Sequence, residues 1–361
     1  MDFRLLETRA QIDAIGDEWD RLWRSQRVRH VFQSVGWHRA ILDAHGERRP
    51  CVVTASDGGR LLGLLPLARA GRTLCFLGAP YADYCDLLTD VRNPGRLFEG
   101  MVDALERAGF RSLRLENVRE DAVLRRAAVD AGAKLARRLR WQAGAVCPTT
   151  LLDVAENVTA SAILRKKSLR RHEHKLARRG TLRFEHIADA GRARALLPAF
   201  FRQHVERRAA AGDESLFLRR EARDFYEALI ARLGLEVVRF ALLELDGSAV
   251  AFHVGFECDR RFTWYKPSFD VRWSRYSPGE VLLKKLFEYA RRRGVVEFDF
   301  TRGEEPFKAR FANASQTNRT LFIFPPGLRG SVQAHAFEAR GRLKRIGWLR
   351  TVSRWIRDIT S

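Results

Sequence analysis

The sequence predicts an α+β protein with a mixed sheet, built from two similar lobes and followed by a helical tail. Two Asp-Gly turns between apolar runs lie 189 residues apart, at Asp57 and Asp246. Each turn is followed by a third apolar strand, a Pro-Gly segment, a helix and another strand in the same order. The chain of 361 residues is long enough for two hydrophobic cores. A duplicated unit is therefore the simplest architecture.

Each Asp-Gly turn predicts a β-hairpin, because the favoured two-residue turn needs positive φ and Asp-Gly tolerates it. The first hairpin lies within residues 52–67 and the second within residues 240–256. A third strand follows at the same separation, in RTLCFLG (72–78) and RFTWYKP (261–267). Three strands are therefore expected at the start of the sheet in each lobe.

A helix and a further strand complete each copy. At a separation of 184 to 185 residues, residues 93–117 align with residues 277–302. Pro-Gly begins each predicted helix, and Gly109 and Gly294 suit the position just after its end. A strand that leads through a helix to a following strand forms a parallel crossover. The last two strands of each lobe should therefore run parallel.

These copies predict three segments. Residues 1–150 form an N-terminal lobe that supports the second lobe or recognises an acceptor, and residues 151–330 form a C-terminal catalytic lobe. Residues 331–361 form a basic amphipathic helical tail, with apolar residues such as Trp348 and Trp355 at helical spacing. This tail either lies on a membrane surface or packs on the protein body.

Polar residues after the last strand distinguish the second lobe. The segment FDFTRGEEPFK (298–308) follows a short apolar run with Asp299, Gly303 and Lys308, where the first lobe has Arg114, Val118 and Val123. A strand end with several ionisable groups indicates either a site or a solvated loop. We expect the site to lie in the second lobe, outside the carboxyl ends of its parallel strands.

Composition excludes several classes of protein. No run of eighteen apolar residues occurs, which argues against a transmembrane helix, and the N-terminus lacks a secretory signal pattern. The five cysteines and nine histidines show no metal-ligand spacing, so no metal is expected. We expect a cytoplasmic protein, with peripheral contact to the inner membrane if the tail binds lipid.

The net charge of +21 indicates an anionic partner or an arginine-rich coding bias. Residues 165–179 carry eight basic residues on a predicted helix, which either grips RNA or anionic lipid or forms a solvated face. The start of the predicted helix at Ser277 suits a diphosphate, because free backbone N–H groups and a positive dipole end lie there. A plain capped helix is the alternative.

A resemblance follows from these motifs. The order of the Asp-Gly hairpin, RFTWYKPSFD, YSPGEVLLKKL, EFDFTRG and EEPFKARF resembles the CelD/BcsL-type acetyltransferases of the GNAT superfamily, relatives of the FemABX aminoacyltransferases, which also have two GNAT lobes. It covers roughly residues 30–325, including FQSVGWHRA (32–40) and LRRHEHKLARRG (169–180). Of the phosphate-binding loop typical of the family, this sequence has only Arg275 and Gly279. Phe307 lies at a position where the family commonly has tyrosine.

The resemblance implies two tandem GNAT-like lobes and acetyl-CoA or another acyl-CoA as substrate, without a metal. The thioester would lie between the strands RFTWYK and VVEFDF of the second lobe, with its diphosphate at residues 277–279. The residues expected to bind the coenzyme are Lys266, Arg272, Arg275, Ser277, Gly279, Phe300, Arg302 and Gly303.

Acyl transfer needs a base for the acceptor and a proton for the leaving thiolate. Asp299 is a candidate base because burial raises a carboxyl pKa; a buried salt bridge to Lys308 is the alternative. Lys308 would hold Asp299 ionised or bind the acceptor, unless it is a surface lysine. Glu305 is a second base candidate. His253 and Tyr265 could face the crevice, where Tyr265 would protonate the thiolate, or could simply pack in the core.

In the first lobe, YADYCD (81–86) follows the third strand and forms either a plain turn or an acceptor-recognition loop. The expected acceptor-binding residues are Tyr81, Asp83, Tyr84 and Asp86.

Three functions remain open. The first is transfer of an acyl group from coenzyme A to an amine or hydroxyl of a sugar, polysaccharide precursor, lipid-linked or other cell-envelope acceptor, because the resembled family is tied to exopolysaccharide systems. The second is FemABX-like aminoacyl transfer from aminoacyl-tRNA. The third is a non-catalytic binding protein for an anionic ligand such as a nucleotide.

Overall fold

The computed structural model describes residues 1–339, except residues 72, 80, 329 and 338. The first half of the chain contains β1 (Asp2–Leu6), α1 (Arg9–Ala14), α2 (Gly16–Ser25), α3 (Val35–Ala44), β2 (Pro50–Asp57), β3 (Arg60–Ala70), β4 (Thr73–Phe76), β5 (Leu88–Thr89), α4 (Gly95–Arg107), β6 (Leu113–Val118), α5 (Val123–Val129), α6 (Ala133–Ala136) and β7 (Leu139–Leu151).

The second half contains α7 (Val158–Leu164), α8 (Lys167–Ala177), β8 (Leu182–His186), α9 (Ala190–Ala210), α10 (Arg220–Leu233), β9 (Val238–Leu245), β10 (Ser248–Cys258), β11 (Arg261–Phe269), α11 (Pro278–Arg292), β12 (Glu297–Asp299), α12 (Pro306–Ala309) and β13 (Ala314–Ile323). Of the expected basic tail, residues 340–361 lie outside the described residues. Among the described residues, no helix is both long and apolar enough to cross a membrane.

Both expected hairpins are present, and their turns differ by one residue. The β9–β10 turn is Asp246-Gly247, with φ of 49° and 76°. The β2–β3 turn is Gly58-Gly59, with φ of 54° and 81°, because Asp57 is still paired with Arg60. A second glycine therefore takes over a turn position that the sequence pattern assigns to Asp57.

One sheet runs through both lobes. Its strand order is β1-β2-β3-β4-β6-β13-β7-β12-β11-β10-β9-β8, and β5 pairs with β3 beside this path. The β7 strand, from the first half, lies between β12 and β13, while β13, from the second half, lies between β6 and β7. The two lobes thus exchange a strand, and the carboxyl ends of β6 and β12 point toward each other.

The strands β11 and β12 diverge after a short parallel pairing. They pair only from Arg261 with Glu297 to Thr263 with Asp299, although β11 continues to Phe269 alongside β10. Beyond Asp299 the chain follows β7 instead, since the N–H groups of Phe300 and Gly303 donate to carbonyls of β7 at 3.0 Å. A wedge therefore opens between the second half of β11 and residues 300–306. We call it the β11–β12 wedge.

Helix α11 covers one face of the sheet beside this wedge. Pro278 occupies its first turn, where the missing N–H costs nothing, and six apolar side chains on one stripe are buried. The Phe287 ring stacks on the Phe298 ring with centroids 4.2 Å apart. Because side chains alternate along β12, Glu297 and Asp299 lie on the opposite face, which the first lobe covers.

Candidate active site

Asp299 lies at the point where β11 and β12 separate. Its side chain is 2% exposed, although a charged carboxylate normally remains in water. The Tyr84 hydroxyl donates to its Oδ1 at 2.8 Å, and the Thr301 N–H donates to the same oxygen at 2.7 Å. Its Oδ2 is buried and has no hydrogen-bond partner. One carboxylate oxygen is thus held in place while the other is left to accept a proton.

Burial raises the pKa of Asp299 to about 6. The positive charge of Arg119 and the hydrogen bonds from Thr301 and Tyr84 act in the opposite direction, and desolvation outweighs them. A carboxyl group with a pKa near neutrality loses little of its charge at physiological pH and still takes up a proton readily. This is the property that a general base requires.

Lys308 holds the loop that follows Asp299. Its side chain is buried, and its Nζ donates to the Arg302 carbonyl at 2.7 Å and to the Glu305 carboxylate at 2.8 Å. Gly303 makes this arrangement possible because its φ is +121° and a Cβ there would meet Glu305 Oε2 at 2.3 Å and Lys308 Nζ at 3.0 Å. Lys308 therefore does not pair directly with Asp299; it shapes the wall of the wedge.

The loop expected to recognise an acceptor contacts the second lobe. Besides the bond from Tyr84 to Asp299, Asp83 accepts a hydrogen bond from Arg302, and the Tyr81 carbonyl accepts one from the Tyr265 hydroxyl at 2.7 Å. Three of the four residues in that set therefore meet the candidate active site from the first lobe.

Asp86, the fourth residue of that set, stays within the first lobe. Its carboxylate accepts the backbone N–H groups of Leu87, Val123 and Leu124 and so caps α5. Burial raises its pKa to about 7 even against these bonds. Because its oxygens already accept hydrogen bonds from the protein backbone, Asp86 has a structural role.

His253 and Tyr265 lie in the core beside each other. Neither exposes more than 5% of its surface. The Nε2 of His253 accepts the Tyr265 backbone N–H at 3.2 Å, where the β10–β11 ladder is interrupted by a bulge. Burial lowers the pKa of His253 and raises that of Tyr265. The structure therefore separates His253 from the wedge and leaves Tyr265 donating its proton to a backbone carbonyl.

The start of α11 keeps only part of the expected anion site. Pro278 has no N–H, and the N–H groups of Ser277 and Glu280 donate to the Ser274 and Ser277 carbonyls at 2.9 and 3.0 Å, which leaves the N–H of Gly279. Ser277 has a left-handed conformation, with φ of 54°, and its hydroxyl does not cap the helix. Arg275 stacks on the Tyr276 ring at 4.7 Å, while Arg272 is held by Asp270 at 2.6 Å. Both arginines border a cavity of about 520 Å³ next to this helix end. A Cβ at Gly279 would approach the Phe269 ring to 3.3 Å, so a larger residue would crowd the helix start.

The remaining expected coenzyme contacts divide between the two faces of the sheet. Lys266 places its Nζ over the Tyr265 ring at 4.3 Å, and burial lowers the pKa of this lysine. Phe300 is fully buried against Phe298 and Phe287 under α11. Phe300 therefore supports the strand end from below and offers no surface to a ligand.

Two residues near Asp299 escaped prediction from sequence. Arg119 is 4% exposed, lies over the Tyr84 ring at 4.8 Å and pairs with Asp121 at 3.0 Å. Cys147 is buried on β7, close enough for the Asp299 charge to contribute to its raised pKa. Neither stands in a local motif; only the exchanged strand order brings them together. For Arg119, the sequence signal available was its position directly after the apolar strand β6.

Known proteins share features of this chain's sequence and fold. Residues 164–309 match the acetyltransferase (GNAT) domain family. FemX has a similar structure, at 10% identity, with a TM-score of 0.59 over 88% of this chain and 97% of that protein. A tandem GNAT protein from the clavulanic acid biosynthesis pathway, at 13% identity, gives a TM-score of 0.52 over 91% and 100% of the two chains.

This chain has a tandem GNAT fold. The structure of L-PGS from Bacillus licheniformis is also similar, at 12% identity and a TM-score of 0.52 over 85% of this chain and 96% of that one. No curated protein sequence matches the chain. At these identities the similar structures establish the fold alone.

Proposed function

We propose that the protein is an acyltransferase that moves an acyl group from coenzyme A to an amine or hydroxyl. The observation that carries this proposal is the β11–β12 wedge, which opens at Asp299, a buried carboxylate with one free oxygen. The free edge of β11 offers backbone groups to an extended pantetheine arm. The Gly279 N–H, the Ser277 hydroxyl and the Arg275 guanidinium would hold the diphosphate, because the positive end of a helix dipole attracts phosphate.

In the proposed reaction Asp299 takes the proton from the acceptor as the acceptor oxygen or nitrogen attacks the thioester carbonyl carbon. A new carbon–oxygen or carbon–nitrogen bond forms, the carbon–sulfur bond breaks, and the coenzyme leaves as a thiolate. Asp299 then returns the proton to sulfur, which balances the step without another residue. Tyr84 and Thr301 hold the carboxylate in position throughout.

For the acceptor we propose a sugar or polysaccharide precursor, following the resemblance to the CelD/BcsL-type enzymes. The acceptor class is tested by assaying acetyl transfer to amino sugars and to nucleotide-linked sugars.

The same resemblance supports two lobes at residues 1–150 and 151–330. The boundary falls at the end of β7, which reaches Leu151 and pairs there with β12 of the second lobe.

A basic groove supports aminoacyl transfer from tRNA as a second candidate. It lies between α8 and α11, has a volume of about 960 Å³, and is bordered by Lys167, Arg170, Arg171 and Arg292. Two further lysines of the groove, Lys284 and Lys285, are already paired with Glu173. The groove is therefore only partly neutralised, and a nucleic acid backbone would find free cations there.

Calorimetric titration with coenzyme A tests the first proposal. We expect micromolar binding, weakened at least about tenfold by Arg275→Ala because one phosphate contact is worth about 1.5–3 kcal/mol. Arg111→Ala, at an exposed position between α4 and β6 of the first lobe, is the matched control and should bind normally. Binding of tRNA alone, with a steep salt dependence that Arg171→Ala reduces, would favour the second candidate; binding of neither would contradict both.

A further inference from the structure

A further cavity lies mainly in the first lobe, where that lobe meets β11 of the second. It is formed by residues within 25–33, 84–92 and 119–126 of the first lobe and by Arg261 of the second, and its volume is about 630 Å³. We call it the interlobe pocket. Sites for small metabolites commonly have volumes of about 300–1,000 Å³, so this pocket has room for a molecule of nucleotide size.

Five arginines border the interlobe pocket. Arg119 and Arg261 are paired inside it, with Asp121 and Glu297. The other three, Arg27, Arg92 and Arg126, are exposed at the rim, and none of them has an ion pair among the described residues. Guanidinium groups bind phosphate and carboxylate oxygens through paired hydrogen bonds, so three free ones at one opening favour an anion.

The acidic residues of the pocket wall do not neutralise this rim. Asp86 uses its oxygens on three backbone N–H groups, and Asp121 is bound by Arg119. Asp90 is bound by Arg21 and Arg60, which lie outside the pocket. The positive charge of the three rim arginines is therefore available to a ligand.

The inner wall of the pocket has buried polar atoms without partners. His30 and Gln33 are 6% and 5% exposed, yet His30 Nε2 and Gln33 Oε1 have no hydrogen bond in the protein. Burial, together with the charges of Arg119 and Arg261, lowers the pKa of His30 well below its ordinary value, so the ring is neutral. An unpaired buried polar atom is unfavourable, and a ligand hydroxyl or amide would supply the missing hydrogen bond.

The pocket reaches the candidate active site through one side chain. Tyr84 lines the pocket, its ring lies 4.7 Å from that of His30, and its hydroxyl donates to Asp299. The Arg119 guanidinium also lies over the Tyr84 ring, 4.8 Å from its centroid. Tyr84 therefore contacts both the interlobe pocket and the candidate base.

We propose that the interlobe pocket binds the acceptor and that this acceptor carries a phosphate or diphosphate group, held by the rim arginines, with hydroxyl or amide groups directed at His30 and Gln33. The anion site itself stands on the pocket alone, and only its assignment to the acceptor rests on the proposed acyl transfer. The free phosphoester of a soluble metabolite and the phosphate of a lipid headgroup share this chemistry.

Calorimetry with pyrophosphate and with uridine diphosphate, each in the same buffer, tests the proposal. We expect both probes to bind the wild-type protein and to bind at least about tenfold more weakly to the double variant Arg27→Ala/Arg126→Ala. Both positions are exposed, so the variant should remain folded. Arg111→Ala is the matched control, and Gln33→Leu should weaken uridine diphosphate more than pyrophosphate, since only the former has groups for the inner wall.

Two results would overturn the proposal: no binding of either probe, or binding that Arg275→Ala weakens and the double variant does not, because the probes would then sit at the start of α11. Coenzyme A titrated into the double variant separates this proposal from the acyl-transfer proposal, since it should bind there as to wild type. Competition of phosphatidic acid vesicles against uridine diphosphate would identify a lipid headgroup as the source, and lack of competition a soluble metabolite.

Discussion

The Tyr84 hydroxyl donates a hydrogen bond of 2.8 Å to Oδ1 of Asp299, and the two residues belong to different lobes, 215 positions apart in the chain. Both side chains are almost completely buried. A tyrosine of the first lobe therefore influences the pKa of an aspartate in the second lobe. Several measurable properties depend on this contact and on the loop that follows it.

Tyr84→Phe should shift the pH dependence of catalysis. Burial raises the pKa of Asp299 to about 6, and the Tyr84 hydrogen bond is one of the contacts that lower it, so losing this bond raises the pKa further. The acidic limb of kcat/KM against pH should move upward by on the order of one pH unit. Tyr289→Phe, which removes a bond to Glu257 elsewhere, is the control and should leave the profile in place. If the acidic limb of the kcat/KM profile stays in place, Tyr84 does not influence the pKa of the catalytic base.

Asp299→Asn should change how stability depends on pH. The folded-state pKa of about 6 is above the ordinary 3.8, so the folded protein favours the protonated acid. This contribution to stability is fully present below pH about 4 and is lost as pH rises through 6. The asparagine side chain does not titrate, so the variant should gain up to about 3 kcal/mol on the wild type between pH 4 and 7. Urea unfolding across this range measures it; a constant difference would contradict the raised pKa.

Gly303→Ala should disturb the wall of the wedge. A Cβ at φ of +121° would meet Glu305 at 2.3 Å and Lys308 at 3.0 Å, so the bonds of Lys308 must break or shift. Gly109→Ala is a matched control, because Gly109 also has a positive φ, of +88°, with nothing within 4 Å of the added atom. In both variants backbone strain should lower the free energy of unfolding by about 1 kcal/mol. Only Gly303→Ala should lower it by a further ~1–3 kcal/mol and bind coenzyme A more weakly. Equal losses in thermal unfolding would contradict the contact.

The Arg302–Asp83 ion pair should couple the lobes. Asp83 is 4% exposed, so removing Arg302 leaves an uncompensated buried charge. Arg302→Met should cost about 2–4 kcal/mol because it leaves the buried Asp83 carboxylate unpaired. Asp83→Asn should cost less, about 1 kcal/mol, because the Arg302 side chain is 34% exposed and water can solvate it. The double variant should cost clearly less than the sum of the two. The Arg220–Asp224 pair on the surface of α10 gives the comparison, with an expected coupling below about 0.5 kcal/mol. Additive losses at Arg302 and Asp83 would show that the contact does not link the lobes.

Local patterns predicted much of the fold. Turn residues, Pro-Gly helix starts and apolar runs are set by nearby residues, so both hairpins, α4, α11 and the parallel pairs β4–β6 and β11–β12 could be placed from sequence. Asn117, the second-last residue of β6, and Thr301, two residues beyond β12, are 184 residues apart and share a left-handed conformation, with φ of 60° and 56°. The repeat thus extends to the backbone dihedral angles.

Long-range partners could not be predicted in the same way. Nothing near Asp299 in sequence indicates that Tyr84 and Arg119 will meet it, because their meeting depends on β13 and β7 entering the opposite lobes. For the same reason the sequence leaves Lys308 open between pairing with Asp299, binding an acceptor and lying on the surface, whereas in the structure it is buried and bonds to Arg302 and Glu305. His253 was ambiguous because a buried histidine and a crevice histidine have the same apolar neighbours; a bulge in β10 decided between them.

The position of β13 affects how the chain is made. During synthesis β6 and β7 leave the ribosome early, but the strand that fills the space between them is the last one of the sheet to be translated. The nascent first lobe therefore carries two open strand edges while the entire second lobe is produced, which is the period of greatest risk for misassembly. Folding yield in the cell should accordingly depend on elongation speed and on chaperones that shield those edges until residues 314–323 arrive.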